Sequence, residues 1–212
     1  AMLIGAGSSE EAIQLHARAD AGTDGAWALV ATARTARPGQ DGNPERELGR
    51  RAEVLARCEL GEDPDELYGR FGARGVEYGP RFRGVRRMSW RSGGALGVVE
   101  APHEIADEVA RYRLHPALLD ACLHVFAAAV PGAKEAVAGG AFLPVGIGRL
   151  RVLRRPEGPL WVHATVGPGF TAESISVEGD LRITDDGGRL VAEILGFRGQ
   201  QIEAPGAGSG RD

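Results

Sequence analysis

Two cysteines, Cys58 and Cys122, are all that this chain of 212 residues contains. No C-x-x-C pair and no Cys/His cluster offers a zinc site, and no cysteine framework points to a disulfide-stapled secreted fold. Cys122 lies in an apolar stretch and reads as a small buried hydrophobe. The sequence also lacks an apolar run approaching the roughly 20 residues that span a bilayer. It shows no signal peptide, so the cytoplasm is the expected compartment. Positive charge is not in excess: 25 Lys and Arg against 29 Asp and Glu leave a net charge of -4. That balance argues against nucleic acid and anionic membrane as partners. What remains is ordinary for a soluble globular chain, 43% hydrophobic and 25% charged, and long enough for one large domain or two small ones. Glycine is abundant at 32 residues, an excess that a GC-rich coding sequence can produce without a structural cause.

The first 36 residues read as short strands, 1–6, 12–18 and 26–36, separated by Gly/Ser/Asp clusters. Ile13 and Leu15 alternate with Gln14 and His16, as in a half-buried strand. Residues 37–60 are expected to be a linker, with a short helical turn at 51–58. Asp63-Pro64 is a helix start, a capping side chain followed by a proline in the first turn. Leu67, Tyr68 and Phe71 give that helix an apolar face, and Gly75 is its stop. Strands are expected at 85–91 and 95–101, joined by Ser92-Gly93-Gly94, and then at 148–153, 160–166, 175–184 and 190–199. Between the two sets lies a helix at 114–130, apolar nearly all round and therefore buried. Residues 204–212 are Gly/Ala/Ser-rich and expected to be disordered. The resulting fold class is α+β: one long helix against an antiparallel sheet of about six strands.

Two segments carry the chemistry. Tyr78-Gly79-Pro80-Arg81-Phe82-Arg83-Gly84 is a Gly/Pro-punctuated loop entering a strand. In His115-Pro116-Ala117-Leu118-Leu119-Asp120-Ala121-Cys122-Leu123-His124, a carboxylate and an imidazole sit one turn apart on the apolar helix. Burying such a pair is costly, which marks it as a candidate site. A carboxyl in an apolar setting favours its neutral, proton-donating form. The plain reading keeps Asp120 as a bond to loop amides and His124 as a satisfied core histidine. A metal held by the two alone is not expected, since no further ligands cluster nearby.

These segments resemble the dehydratase domain of modular type I polyketide synthases. Tyr78-Gly79-Pro80-x-Phe82-x-Gly84 is similar to that family's Tyr-Gly-Pro-x-Phe-x-Gly motif, and His115 to Asp120 to its second active-site motif. Phe142-Leu143-Pro144 resembles the segment after the helix, although Val145 departs from the aromatic often found there. The closing stretch from Asp180-Leu181 through Asp185 and Gly188 to Val191-Ala192 resembles the final hairpin. The resemblance implies a hotdog fold, a sheet wrapped around a long helix. Residues 61–203 would be the C-terminal hotdog of a double hotdog, and 1–36 the last strands of the first.

It further implies water elimination from 3-hydroxyacyl-carrier-protein thioesters, with Asp120 as the acid and His124 assisting. Tyr78, Gly79, Pro80, Phe82, Leu143 and Pro144 would line the substrate channel. Arg83 would meet the carrier's phosphopantetheine phosphate. Arg151, within the run Arg149, Arg151, Arg154 and Arg155, would face an acidic carrier protein, unless that run is simply a solvated strand face. No diffusible cofactor and no metal are implied. The partners would be the acyl carrier protein, neighbouring synthase domains and, through the uncovered strands of residues 1–36, a second copy of the chain.

The family's other catalytic residue is the histidine of a His-x-x-x-Gly-x-x-x-x-Pro motif, and none of the five histidines here fits it. His16, His103, His115 and His124 are followed four residues on by Asp20, Asp107, Leu119 and Ala128. His163 has Gly167, but Ala172 replaces the proline, and its strand alternation makes it a solvent-facing residue. The chain alone is therefore expected to be inactive or nearly so. A non-catalytic docking domain, or a cyclase or double-bond isomerase on the same scaffold, are the alternative readings.

Overall fold

The computed structural model describes residues 2–4, 12–17, 28–34, 44–58, 60–132, 142–171 and 173–201. The chain forms two compact units, Ala1–Gln40 and Asp41–Asp212. In the first unit, β1 (Met2–Ile4), β2 (Ala12–Ala17) and β3 (Ala28–Arg34) make an antiparallel sheet in sequence order. β3 is exposed along its whole length, with Leu29 at 52% and Val30 at 55% exposure.

The second unit begins with a departure from expectation. Helix α1 (Pro44–Arg57) occupies most of the segment expected to be linker. The remaining linker residues 37–43 and the tail 204–212 lie outside the described residues. Next come β4 (Leu60–Glu62), too short to show a pattern, and α2 (Pro64–Ala73). The Asp63 carboxylate caps α2 by accepting the Asp65 N–H at 2.8 Å. Gly75 closes it at φ +81°, where the Val76 N–H reaches back to Phe71 O at 3.0 Å. That is the left-handed glycine stop expected from sequence.

β5 (Val85–Arg91) and β6 (Gly94–Val99) form the predicted hairpin. After α3 (Pro116–Ala129) come β7 (Phe142–Val152), β8 (Leu160–Val166), β9 (Ser176–Thr184) and β10 (Leu190–Gln201). All pairings are antiparallel, in the order β4-β5-β6-β8-β9-β10-β7. β7 is an edge strand, and it is longer than its sequence suggests. Pro144, Gly146 and Gly148 hide a strand that pairs with β10 from Phe142↔Gln201 to Val152↔Ala192.

α3 lies on the inner face of this sheet. Its buried side chains include Leu118, Ala121, Cys122, Val125 and Phe126, which join Val99, Val162, Ala164, Leu181, Ile183 and Ile194 in one core. Glycines set how closely the helix approaches. A Cβ on Gly84 would stand 2.9 Å from Ala121 Cβ, one on Gly97 2.5 Å from Val125 Cγ2, and one on Gly179 2.6 Å from Phe126 Cε2. The glycine content therefore has a packing cause at these three positions. On the outer face, the Arg51 guanidinium of α1 stacks 4.3 Å from the Trp161 ring. Leu96, Trp161 and His163 line a small cavity there together with Arg50 and Arg51. His163 is thus half-buried beneath α1 and not solvent-facing, because the segment expected to be linker is the helix that covers it.

Candidate active site

α3 places Asp120 and His124 one turn apart, and His124 Nε2 lies 3.1 Å from Asp120 Oδ2. The two differ sharply in exposure: 3% of the His124 side chain and 32% of the Asp120 side chain reach solvent. The apolar burial expected for Asp120 therefore falls on its neighbour. One carboxylate oxygen is held by a buried ring while the group as a whole opens outward.

Three aromatic rings enclose His124. α2 supplies Tyr68 and Phe71, three residues apart on one helix face, and the loop after α2 supplies Tyr78. Their ring centroids lie 5.6, 5.3 and 4.1 Å from that of His124. Tyr68 and Phe71 are legible in the sequence only as an apolar helix face, because a contact between α2 and α3 leaves no periodic mark. Tyr68 also makes polar contacts. Its hydroxyl accepts the Val85 N–H at 3.1 Å and stands 3.5 Å from His124 Nδ1. Burial pushes the Tyr68 phenol up to about 12. The Tyr78 phenol also rises to about 12, first from burial and then from the charge of Asp120. Both hydroxyls hence keep their protons at neutral pH.

The loop itself is braced by arginines. Arg83 Nε donates to Tyr78 O at 2.9 Å, and its guanidinium lies 5.4 Å from the Tyr68 ring centroid. Arg81 donates to Glu104 O at 2.9 Å and pairs with Glu108 at 2.6 Å. That guanidinium holds the Glu108 carboxyl below its usual range. Glu108 in turn faces His115 Nε2 at 3.7 Å, while His115 Nδ1 accepts the Ala117 N–H at 3.2 Å and so caps α3. Glu77, Tyr78, Gly79, Pro80, Arg81 and Phe82 line an open cavity of about 340 Å³.

Of the residues singled out from sequence, Asp120, His124 and Tyr78 come together. Gly79, Pro80 and Phe82 line the adjoining cavity. Leu143 and Pro144 stand at the head of β7, paired with Gln200 and Gly199. Among the described residues no hydrogen bond or ring contact joins them to the Asp120–His124 pair. Arg151 does not face outward as a free charge: its guanidinium meets Glu193 at 2.7 Å, and Arg182 meets the same carboxylate at 3.2 Å. Arg154 donates to Leu190 O at 2.9 Å. The arginine run is in this part committed to the sheet. Among the described residues no group of three or more His, Cys, Asp or Glu is placed to hold a metal. Nor is any helix of the described residues long and apolar enough to cross a membrane.

A long helix packed on a wrapped antiparallel sheet is the hotdog fold, and here that helix carries the Asp120–His124 pair. The family whose model matches residues 46–208 is the polyketide synthase dehydratase N-terminal domain. The chain belongs to the polyketide synthase dehydratase family. It is 36% identical over 186 residues to the spectinabilin polyketide synthase system protein NorA' of Streptomyces orinoci, a match covering 78% of the chain and 4% of that protein. It is 41% identical over 128 residues to the pikromycin polyketide synthase component PikAII of Streptomyces venezuelae, covering 54% of the chain and 3% of that protein. The chain thus spans a few per cent of the length of these curated relatives. Among solved structures, the dehydratase domain from the CurK module of curacin polyketide synthase matches with a TM-score of 0.76 at 26% identity, over 96% of this chain and 67% of that one. The CurK dehydratase has also been solved as two inactive mutants, one aspartate-to-asparagine and one histidine-to-phenylalanine.

Proposed function

We propose that this chain is the acid-bearing half of a dehydratase that eliminates water from 3-hydroxyacyl thioesters carried on an acyl carrier protein. The observation that supports it is the Asp120–His124 pair at 3.1 Å, with the aspartate partly exposed and the histidine caged. In the reaction a base removes the proton alpha to the thioester carbonyl, and its electron pair becomes the new C=C bond. The C–O bond to the beta carbon breaks, and the departing hydroxyl takes the Asp120 proton to leave as water. Asp120 becomes a carboxylate, which the His124 N–H then stabilises. The loop from Tyr78 to Phe82 forms the mouth through which the acyl chain enters. The aspartate-to-asparagine and histidine-to-phenylalanine mutants of the CurK dehydratase are both inactive, which supports a reaction that needs both residue types. No resident cofactor is called for, because the carrier's phosphopantetheine arrives with the substrate. Carrier, neighbouring synthase domains and a second copy at the exposed β3 face are the proposed partners.

The test is intact mass spectrometry of a 3-hydroxyacyl carrier protein. It is incubated with the chain alone and with the chain joined to a histidine-bearing first hotdog. The joined protein should remove one water, and Asp120→Asn should abolish this. The chain alone should be slower by roughly 10²–10⁴-fold, the usual contribution of one acid/base partner. A joined, folded protein that leaves the substrate intact would sink the dehydratase reading in favour of a docking domain.

A further inference from the structure

We infer that Tyr68 is a positioning residue: its hydroxyl donates to His124 Nδ1 and thereby fixes the imidazole in the tautomer whose Nε2–H points at Asp120. The inference rests on the reading of Asp120 as the working acid, but its evidence is the hydrogen-bond accounting around a buried ring. A neutral imidazole carries one N–H and one bare nitrogen, and which is which depends on its neighbours. His124 Nε2 faces Asp120 Oδ2 at 3.1 Å, and Nδ1 faces the Tyr68 hydroxyl at 3.5 Å. With 3% of the side chain exposed, water does not reach Nδ1 freely. The flanking Phe71 ring offers it no polar group.

The Tyr68 hydroxyl has one hydrogen and two acceptors within reach, His124 Nδ1 and Phe82 O, each at 3.5 Å. The contact with Phe82 O is only partly buried, beside the open cavity that Phe82 lines, so water is the alternative partner there, whereas the contact with His124 Nδ1 is buried. The buried nitrogen has no such substitute, and an unsatisfied buried acceptor is the costlier outcome. One lone pair of the same oxygen is already taken by the Val85 N–H at 3.1 Å, which fixes where the hydroxyl sits. The phenol, pushed up to about 12 by burial, keeps its hydrogen throughout the working range. The result is a directed chain from Val85 N–H to Tyr68 O–H to His124 to Asp120. In the opposite tautomer, Nε2 would be bare and would compete with the substrate hydroxyl for the Asp120 proton.

Tyr68 meets the mouth only at the Phe82 carbonyl and the edge of the Tyr78 ring, and among the described residues no hydrogen bond joins it to Asp120, so its effect on the carboxyl passes through His124. Long-range ¹H–¹⁵N correlation spectra of the uniformly ¹⁵N-labelled chain read the tautomer of each histidine directly. His115 is an internal reference, because its Nδ1 accepts the Ala117 N–H at 3.2 Å and so it is also held as Nε2–H, by a partner unrelated to Tyr68. Expected is an Nε2–H pattern for His124 in the native chain. Tyr68→Phe should turn it into a mixture or invert it, and leave His115 unchanged. A native His124 with its proton on Nδ1, or a pattern indifferent to Tyr68→Phe, overturns the inference. If Tyr68→Phe does not fold, the native spectrum alone decides between the two tautomers. These spectra involve no turnover, so their outcome is independent of the carrier-protein assay. A Tyr68-dependent tautomer in a chain whose joined form never dehydrates would keep the inference and discard the reaction.

Discussion

Among the described glycines, Gly97 is where an added Cβ would come nearest to α3, and replacing that glycine by alanine tests the whole seating of the helix. An added Cβ would stand 2.5 Å from Val125 Cγ2 and 3.1 Å from Val125 Cγ1. Carbon pairs prefer about 3.5–4.0 Å, so the helix or the Val125 side chain must give by roughly 1 Å. Val125 is fully buried in a core without slack. Overpacking of this kind costs about 1–3 kcal/mol. Taking about 2 kcal/mol, a unit the size of Asp41–Asp212 should lose about 4–8 °C in Tm. Val125→Ala alone removes two buried methyl groups, about 0.8 kcal/mol each, and leaves a cavity, for about 2–3 kcal/mol in all. Combined, the new methyl at position 97 fills part of that void, and the double variant should lose only about 2 kcal/mol. Thermal and urea unfolding of the four proteins give the coupling. If the two losses add to within about 0.5 kcal/mol, the sites are independent and the seating argument fails.

Two further outcomes follow from buried groups. Glu193→Gln leaves Arg151 and Arg182 facing each other without their shared carboxylate. It should cost about 2–3 kcal/mol in urea unfolding, less than a fully buried pair because the arginines are 19% and 28% exposed. The exposed Arg149→Gln should stay within about 0.5 kcal/mol of the native chain. A thiol reagent should find Cys122 inert in the folded protein, since burial removes it from solvent and raises its thiol. Its labelling should follow the rate of global unfolding, and rapid native labelling at Cys122 would contradict the packing of α3.

The second half of the chain is legible in the sequence where local chemistry decides. Gly/Ser and Asp/Gly turns announce the β5–β6 and β9–β10 hairpins, and continuous apolarity announces α3. The i, i+4 spacing puts Asp120 and His124 on one helix face. What stays hidden depends on partners distant in sequence. α1 looks like a linker because its charged residues outnumber its apolar ones, and its place on the outer sheet face becomes visible only once Trp161 is there to receive Arg51. The head of β7 carries Pro144, Gly146 and Gly148, and only the ladder with β10 makes it a strand. Tyr68 can be read as a core residue but not as the neighbour of His124, and Arg151 as a charge but not as the partner of Glu193. The exposure of Asp120 is hidden for a related reason: apolar neighbours along a helix do not say which side of it the sheet leaves open.

The fastenings of α3 differ in kind from those of the mouth beside it. At its C-terminal end, Ala129 O accepts the Gly93 N–H at 3.0 Å, and Gly93 O in turn accepts the Val166 N–H at 3.0 Å. At its N-terminal end the buried His115 ring supplies the cap. Neither end can fray by itself, so amide exchange along the helix must wait for the sheet to open. The loop from Tyr78 to Phe82 is tied to that cap by the Arg81–Glu108 pair, whose side chains are 48% and 37% exposed. Water and salt weaken such a pair. On the proposed reading, the exposed rim of the loop can loosen to admit a chain while the Tyr78 ring stays packed 4.1 Å from His124 and α3 holds still.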